Sequence, residues 1–455
     1  MTTLFAETAL LPDGWARDVA VSLDHGRIVS VTSNAAPPAG ATRSGVLLPA
    51  PANLHSHTFQ RAMAGLTEAR GASGQDSFWT WRSLMYRFLE SLSPDDVGAI
   101  AGQAMVEMAE AGYAAVAEFH YLHHAPDGRP YADLAEMSAR IAGAAADTGL
   151  GLTHLPVLYS QGGCDGRALA GGQLRFGNDP DRFARLWQAA KGALSPLPPD
   201  IVLGVAPHSL RAVSPEGLDF ATGLAPDRPI HIHVAEQVAE VDEVMAHRGA
   251  RPVEWLMRQH AVDARWCLIH ATQMTPEETR SVARSGAVAG LCPITEANLG
   301  DGIFDGVRYL GAGGRFGVGS DSNVRISLAG ELRTLEYSQR LRDRGRACLA
   351  TSDRSTGRVL YDGAVQGGAQ AAGRDGGAIR VGAWADLVAL AADHPAIAGL
   401  HGDRILDAWL FAGGAGLVRE VWSAGRHVVT GGRHPQRDVV AARFRRVLDR
   451  LRADL

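Results

Sequence analysis

Lysine is almost missing from these 455 residues: Lys191 is the single one among 44 basic residues, and every other one is arginine. Any fixed cation that recognises an anionic ligand must then be an arginine, whose planar fork suits carboxylates. Cysteine is scarce too. Cys164, Cys267, Cys292 and Cys348 stand far apart with no CxxC pair, which excludes a disulfide framework and a structural zinc knuckle and fits a reducing compartment. Positive charge is not in excess, since the net charge is -5, so neither nucleic acid nor an anionic membrane is an expected partner. No run approaches the roughly 20 apolar residues of a membrane span, and MTTLFAETALLPDGWARDVAVSL has no basic region ahead of an apolar one. A cytoplasmic chain is expected. What is present is an ordinary globular composition, 46% hydrophobic and 20% charged, in a length that holds a barrel of about 250 residues and an accessory piece.

Apolar alternation across residues 16–33, broken by Asp24-His25-Gly26, predicts a β-hairpin, and residues 379–390 and 417–434 repeat that style. A small β-sandwich built from both termini follows, over 1–48 with 372–455. The last segment, 439–455, has the spacing of a surface helix. Between these ends, eight apolar runs alternate with amphipathic stretches: 45–50, 113–119, 151–158, 201–207, 230–235, 266–271, 287–293 and 315–320. That count predicts an α/β fold with a (β/α)8 TIM barrel over 49–371, its chemistry at the C-terminal strand ends. Residues 66–95 are too long for a minimal connection and are placed as a lid over the mouth, with Phe78, Trp79, Trp81, Met85 and Tyr86 as its packing.

The strand ends carry the polar residues. His55-Ser56-His57 is weak as a motif, since 17 histidines give roughly 0.6 such pairs by chance. Position strengthens it: His233 ends the fifth run, His270 the sixth, and Asp321 follows the eighth, so all converge on one rim. Three neutral imidazoles and a carboxylate suit a borderline divalent ion. Glu236, three residues after His233, stands where a general acid or base is needed. Alone it would read as a carboxylate favoured at a helix N-terminus.

These residues resemble the deaminase branch of the amidohydrolase superfamily, on the HSH pair, HVAE, LIHA and GSDSN. LLPAPANLHSHTFQRAMAGL, FWTWRSLMYRF, EFHYLHH, APHSLRAV, LCPITEANLGDGIFDG and GVGSDSNVRISLAGELRTLEYSQRL most resemble the formimidoylglutamate deiminase family. The resemblance implies hydrolysis of N-formimino-L-glutamate to N-formyl-L-glutamate and ammonia, in histidine degradation, by a homodimer. It implies His55, His57, His233 and Asp321 as metal ligands, with Glu236, His270 and Asp321 as catalytic groups: Glu236 protonates the departing nitrogen, while His270 and Asp321 take the water proton. The fourth run, IVLGVAPHSL, has no lysine to bridge two ions, so one ion per chain, zinc with ferrous iron as the alternative, is expected unless a carboxylate substitutes as the bridge. A small-molecule dicarboxylate needs forked cations and neutral donors. Arg82 and Arg211 are the choices, with Gln60, Tyr121 and His208 beside them and Arg325 as a weaker third; His123 and His124 are left as loop histidines. The aromatic lid would also suit an aromatic base, so a guanine, adenosine or triazine deaminase is the alternative within the superfamily. A non-catalytic scaffold is the alternative outside it, and it should purify without stoichiometric metal.

Overall fold

A computed structural model of the chain describes residues 1–68 and 78–453. The terminal strands join in one mixed seven-stranded sheet. In spatial order these are Arg426–Val429, Val418–Ser423, Leu387–Leu390, Thr42–Pro49, Thr2–Leu11, Gly14–Asp24 and Arg27–Thr32. The hairpin expected at Asp24-His25-Gly26 is there, with φ of 46° at His25 and 80° at Gly26, the left-handed pair a tight two-residue turn requires. Gly26 is needed twice over, because a Cβ there would lie 2.7 Å from the Ala424 carbonyl oxygen.

Eight parallel strands form the barrel: Ala52–Ser56, Ala115–His120, Gly151–Leu158, the broken pair Val202–Leu203 and Ala206–Pro207, Ile230–Val234, Trp266–His270, Val288–Leu291 and Arg315–Val318. Single bridges close the ring at Val205–Ile230, Ser209–His233 and Ser56–Asp321. These strands are buried throughout because helices cover one face and the barrel interior the other. One expectation fails here. The run 45–50 is not the first barrel strand but the end of Thr42–Pro49, which pairs parallel with Thr2–Leu11 and antiparallel with Leu387–Leu390. The barrel begins at Ala52, just after Pro51, whose missing N–H ends the ladder. His55 therefore lies inside the first strand rather than after it.

The helix Pro94–Glu110 starts on a capping box in which Ser93 and Asp96 satisfy each other's backbone N–H. On it lies the terminal helix Arg437–Ala453, through Val440, Val447 and Leu451, so the surface helix read from the sequence is docked on the barrel. A buried ion network ties barrel to sheet: Arg374 donates to both carboxylate oxygens of Asp386 and to Asp200, and Arg426 reaches Asp200 from the sheet side.

Candidate active site

Alternation along the first strand sends His55 and His57 to one side and Ser56 to the other. The closing bridge sets their partner: His57 N–H donates to Asp321 O and Asp321 N–H to His55 O, both at 2.9 Å. Gly319 permits this approach, since a Cβ there would stand 2.6 Å from the His55 carbonyl oxygen. The GSDSN run is explained by the same closure. Asn323 donates to Ser56 Oγ, His57 O and Asp321 O, and accepts from Ser320, which in turn pairs with Asn53. Asp321 is held at φ 45° and His270 at φ 67°, strained backbone of the kind that packed surroundings impose at functional sites.

Donor atoms of His55, His57, His233 and Asp321 all lie within 4.8 Å of one another, and all four residues are buried. His233 Nε2 is 3.1 Å from His55 Nε2, and Asp321 Oδ1 is 3.4 Å from His55 Nε2 and 3.2 Å from His57 Nε2. His57 Nδ1 faces the Phe119 carbonyl at 3.0 Å and His233 Nδ1 that of His208 at 3.3 Å. Protons on those nitrogens leave the Nε2 lone pairs pointing at a common point. Burial lowers the His55 pKa to about 3 and holds that of His233 well below its ordinary value. Neutral imidazoles converging on a carboxylate, with lone pairs that repel each other in the absence of a shared cation, fit a divalent ion.

His270 stacks on His233 with ring centroids 5.5 Å apart. Its Nε2 faces Glu236 Oε1 at 3.8 Å and Asp321 Oδ2 at 3.9 Å, and Nδ1 pairs with Glu296 Oε1 at 3.2 Å. Burial works against its charge, but the carboxylates of Glu236, Glu296 and Asp321 outweigh it and raise the pKa well above the usual range. Burial raises the Glu236 pKa as well, opposed by His270 and Arg211. Such neighbouring groups of unlike proton affinity are what acid–base chemistry needs.

The five substrate-binding candidates, Gln60, Arg82, Tyr121, His208 and Arg211, line one pocket with His57, His233, Glu236, His270 and Asp321. Gln60 donates to the Tyr121 hydroxyl at 2.7 Å. Arg82, on the helix Phe78–Glu90, bonds Tyr86 and Tyr159 through their hydroxyls, at 2.6 and 3.1 Å. Arg211 is buried, 3.9 Å from Glu236 Oε2 and 3.9 Å from Glu240 Oε2. Trp81, Met85 and Tyr86 also face this pocket, whereas the side chains of Phe78 and Trp79 lie outside the described residues, as does 69–77 of the proposed lid. Arg325 is exposed and does not line it. His123 and His124 are buried and bonded to the carbonyls of Val157 and Gly177.

Three contributors escaped the sequence reading. Glu240 accepts the backbone N–H groups of Ala235 and Glu236, fixing the turn that presents Glu236. Glu296 orients His270, and its only signal was its place inside the distinctive TEANLGDGIFDG run. Tyr159, which bonds Arg82, gave no signal.

Known proteins resemble this chain. Residues 46–428 match the Amidohydrolase family, and residues 1–45 match the N-terminal domain of formimidoylglutamate deiminase HutF. Formimidoylglutamate deiminase of Pseudomonas aeruginosa is 51% identical over 456 aligned positions, spanning 99% of this chain and 100% of that one. The crystal structure of an amidohydrolase from Brucella melitensis superposes with a TM-score of 0.96 at 51% identity, over 99% and 100% of the two chains. At the level of fold alone, an adenosine deaminase from Xanthomonas campestris with bound zinc matches with a TM-score of 0.83 at 22% identity, over 99% and 98%. A match over most of the chain's length, with a histidine–aspartate cluster at the strand ends of its barrel, shows that the chain belongs to the amidohydrolase family.

Proposed function

We propose that this chain is a deiminase that hydrolyses N-formimino-L-glutamate to N-formyl-L-glutamate and ammonia, as a step of histidine degradation. The observation that carries this is two arginines, Arg82 and Arg211, in the pocket that holds the histidine–aspartate cluster. A neutral aromatic base has no use for a pair of forked cations, whereas the two carboxylates of formiminoglutamate do. The 51% identity to formimidoylglutamate deiminase supports the same substrate.

His55, His57, His233 and Asp321 would hold one divalent ion, zinc or ferrous iron; the adenosine deaminase that shares the fold carries zinc. Bound there, such an ion makes water acidic enough to act as a nucleophile near neutral pH. Water adds its oxygen to the formimino carbon, a carbon–nitrogen bond breaks, and a formyl carbonyl remains. Glu236, in the pocket beside His270, takes one water proton and passes it to the nitrogen that departs as ammonia. His270 and Asp321 steady the attacking oxygen and take its other proton between Nε2 and Oδ2, and that proton reaches the same nitrogen as the formyl carbonyl forms. Arg211 lies next to Glu236, so clamping a substrate carboxylate there also holds the formimino group at the acid–base pair. Gln60, Tyr121 and His208 supply neutral contacts. A cytoplasmic location and a homodimer are part of the proposal; the first rests on the composition and the second on the family resemblance.

The test is ammonia release from the purified chain with N-formimino-L-glutamate, beside N-guanidino-glutarate, guanine and adenosine. The formimino substrate should be preferred. Faster turnover of guanine or adenosine would replace this reading with the base-deaminase one, and a chain that purifies without metal and releases no ammonia would be a scaffold.

A further inference from the structure

The carboxylate of Asp321 is divided between two neighbourhoods. Oδ1 faces His55 and His57, while Oδ2 turns to Nε2 of His270. Cys292 comes directly after the strand Val288–Leu291, and donor atoms of His270, Cys292 and Asp321 fall within 4.8 Å of one another. All three residues are buried. We propose that His270, Cys292 and Asp321 form a second, inhibitory cation site that takes a soft divalent ion, cadmium or zinc in excess, with Asp321 shared between the two sites.

The donor chemistry selects the ion. Thiolate and imidazole with a carboxylate favour soft and borderline cations, and a hard ion gains nothing from the sulfur. Glu296 occupies Nδ1 of His270, which leaves Nε2 as the ligating nitrogen. On binding, the Cys292 S–H and the His270 Nε2–H each release a proton to solvent, and metal–sulfur and metal–nitrogen bonds take their place. Glu236, Glu296 and Asp321 already gather negative charge about His270, so a second cation is electrostatically favoured there. Both His270 and Asp321 line the substrate pocket, which gives the ion its route. Inhibition follows because the ion takes the Nε2 and Oδ2 atoms that the reaction uses. Cys267 offers a contrast: it packs in the same small apolar cluster as Cys292, with Leu54 and Ile269, yet belongs to neither donor group.

The experiment titrates the enzyme, with its resident ion, with cadmium chloride, in a Cys164→Ser/Cys348→Ser background that removes the two half-buried thiols. One further equivalent should bind, with an ultraviolet thiolate-to-cadmium band. Turnover should fall by at least about tenfold, since positioned acid–base groups contribute on the order of 10²–10⁴. Cadmium exchanging into the all-histidine and aspartate site gives no thiolate band, so the two events are separable. Cys292→Ser and Cys292→Ala should each lose the band and the inhibition, measured against their own uninhibited rates, while Cys267→Ser keeps both. The inhibition arm rests on the proposed function, but the band needs no substrate. A parent that shows no such band, or Cys292 variants that keep it, would overturn the proposal.

Discussion

Replacing Arg211 by methionine tests the proposed pocket most directly. The guanidinium is buried between two carboxylates, 3.9 Å from Glu236 and 3.9 Å from Glu240, and it lines the pocket. At an effective dielectric constant of ~20, one such pair is worth about 4 kcal/mol before desolvation is deducted. Removing the cation therefore leaves two buried carboxylates facing each other, as well as a substrate carboxylate with no clamp. Truncation of a desolvated charge partner costs roughly 2–5 kcal/mol, which at about 1.4 kcal/mol per decade is a 30- to several-thousand-fold loss in kcat/KM. The pH profile should change with it. Arg211 opposes the burial that raises the Glu236 pKa, so its loss raises that pKa further, and the acid limb of kcat/KM moves to higher pH. Ammonia release with N-formimino-L-glutamate gives the rates, and a formimino amino acid lacking the side-chain carboxylate should lose less. Arg82→Met should cost less than Arg211→Met, because Arg82 is half-buried whereas Arg211 is buried beside two carboxylates. A change under tenfold in both variants would refute the dicarboxylate pocket.

Glu236→Gln should keep its metal and lose on the order of 10²–10⁴ in kcat, the contribution of a positioned acid–base group; a loss under about tenfold would make Glu236 structural. Elemental analysis of active enzyme should return one equivalent of metal, and chelation should lower Tm and abolish turnover, by about 2.7 kcal/mol of stability at a hundredfold excess of ion over Kd. Two equivalents, both required for activity, would sink the single-ion reading. Acid should destabilise the fold through buried neutral histidines away from the site: burial lowers the His154 pKa to about 3 and that of His231 to about 4. Because the unfolded chain binds these protons first, their contribution is complete above pH ~6.5 and is lost as pH falls toward the folded values, on the order of 3 kcal/mol for His231. The urea midpoint of His231→Gln should therefore vary less between pH 6.5 and 4 than that of the parent, and an unchanged slope would contradict this.

Much of the site was legible because the fold imposes a rule on the strings. Once eight apolar runs are assigned to a barrel, His55, His57, His233, His270 and Asp321 must meet at one rim, and they do. The first strand was misplaced because 45–50 and 52–56 are similarly apolar, and only the proline between them distinguishes a sheet end from a barrel start. Glu240 and Glu296 were invisible for a different reason: one bonds backbone amides and the other an imidazole ring, and neither contact leaves a spacing in the sequence. Among so many arginines, only its place in the expected lid ranks Arg82, which reaches the pocket, above Arg325, which does not. That difference is set by where the helix Phe78–Glu90 lies, a matter of tertiary packing.

The composite terminal sheet also sets a timetable for synthesis. Thr42–Pro49 is made early, but its partner on one edge, Leu387–Leu390, leaves the ribosome roughly 340 residues later, about 17–70 s at ordinary rates of translation. Throughout that interval the nascent chain carries three paired strands on one side and an unpaired row of amides and carbonyls on the other, which is an invitation to pair with another chain. Synthesis interrupted before Leu387 would leave that edge permanently open beside barrel strands that are already complete. Release of full-length chain is thus the moment at which the molecule loses its adhesive edge, and partial products should partition to aggregates or chaperones while the finished protein does not.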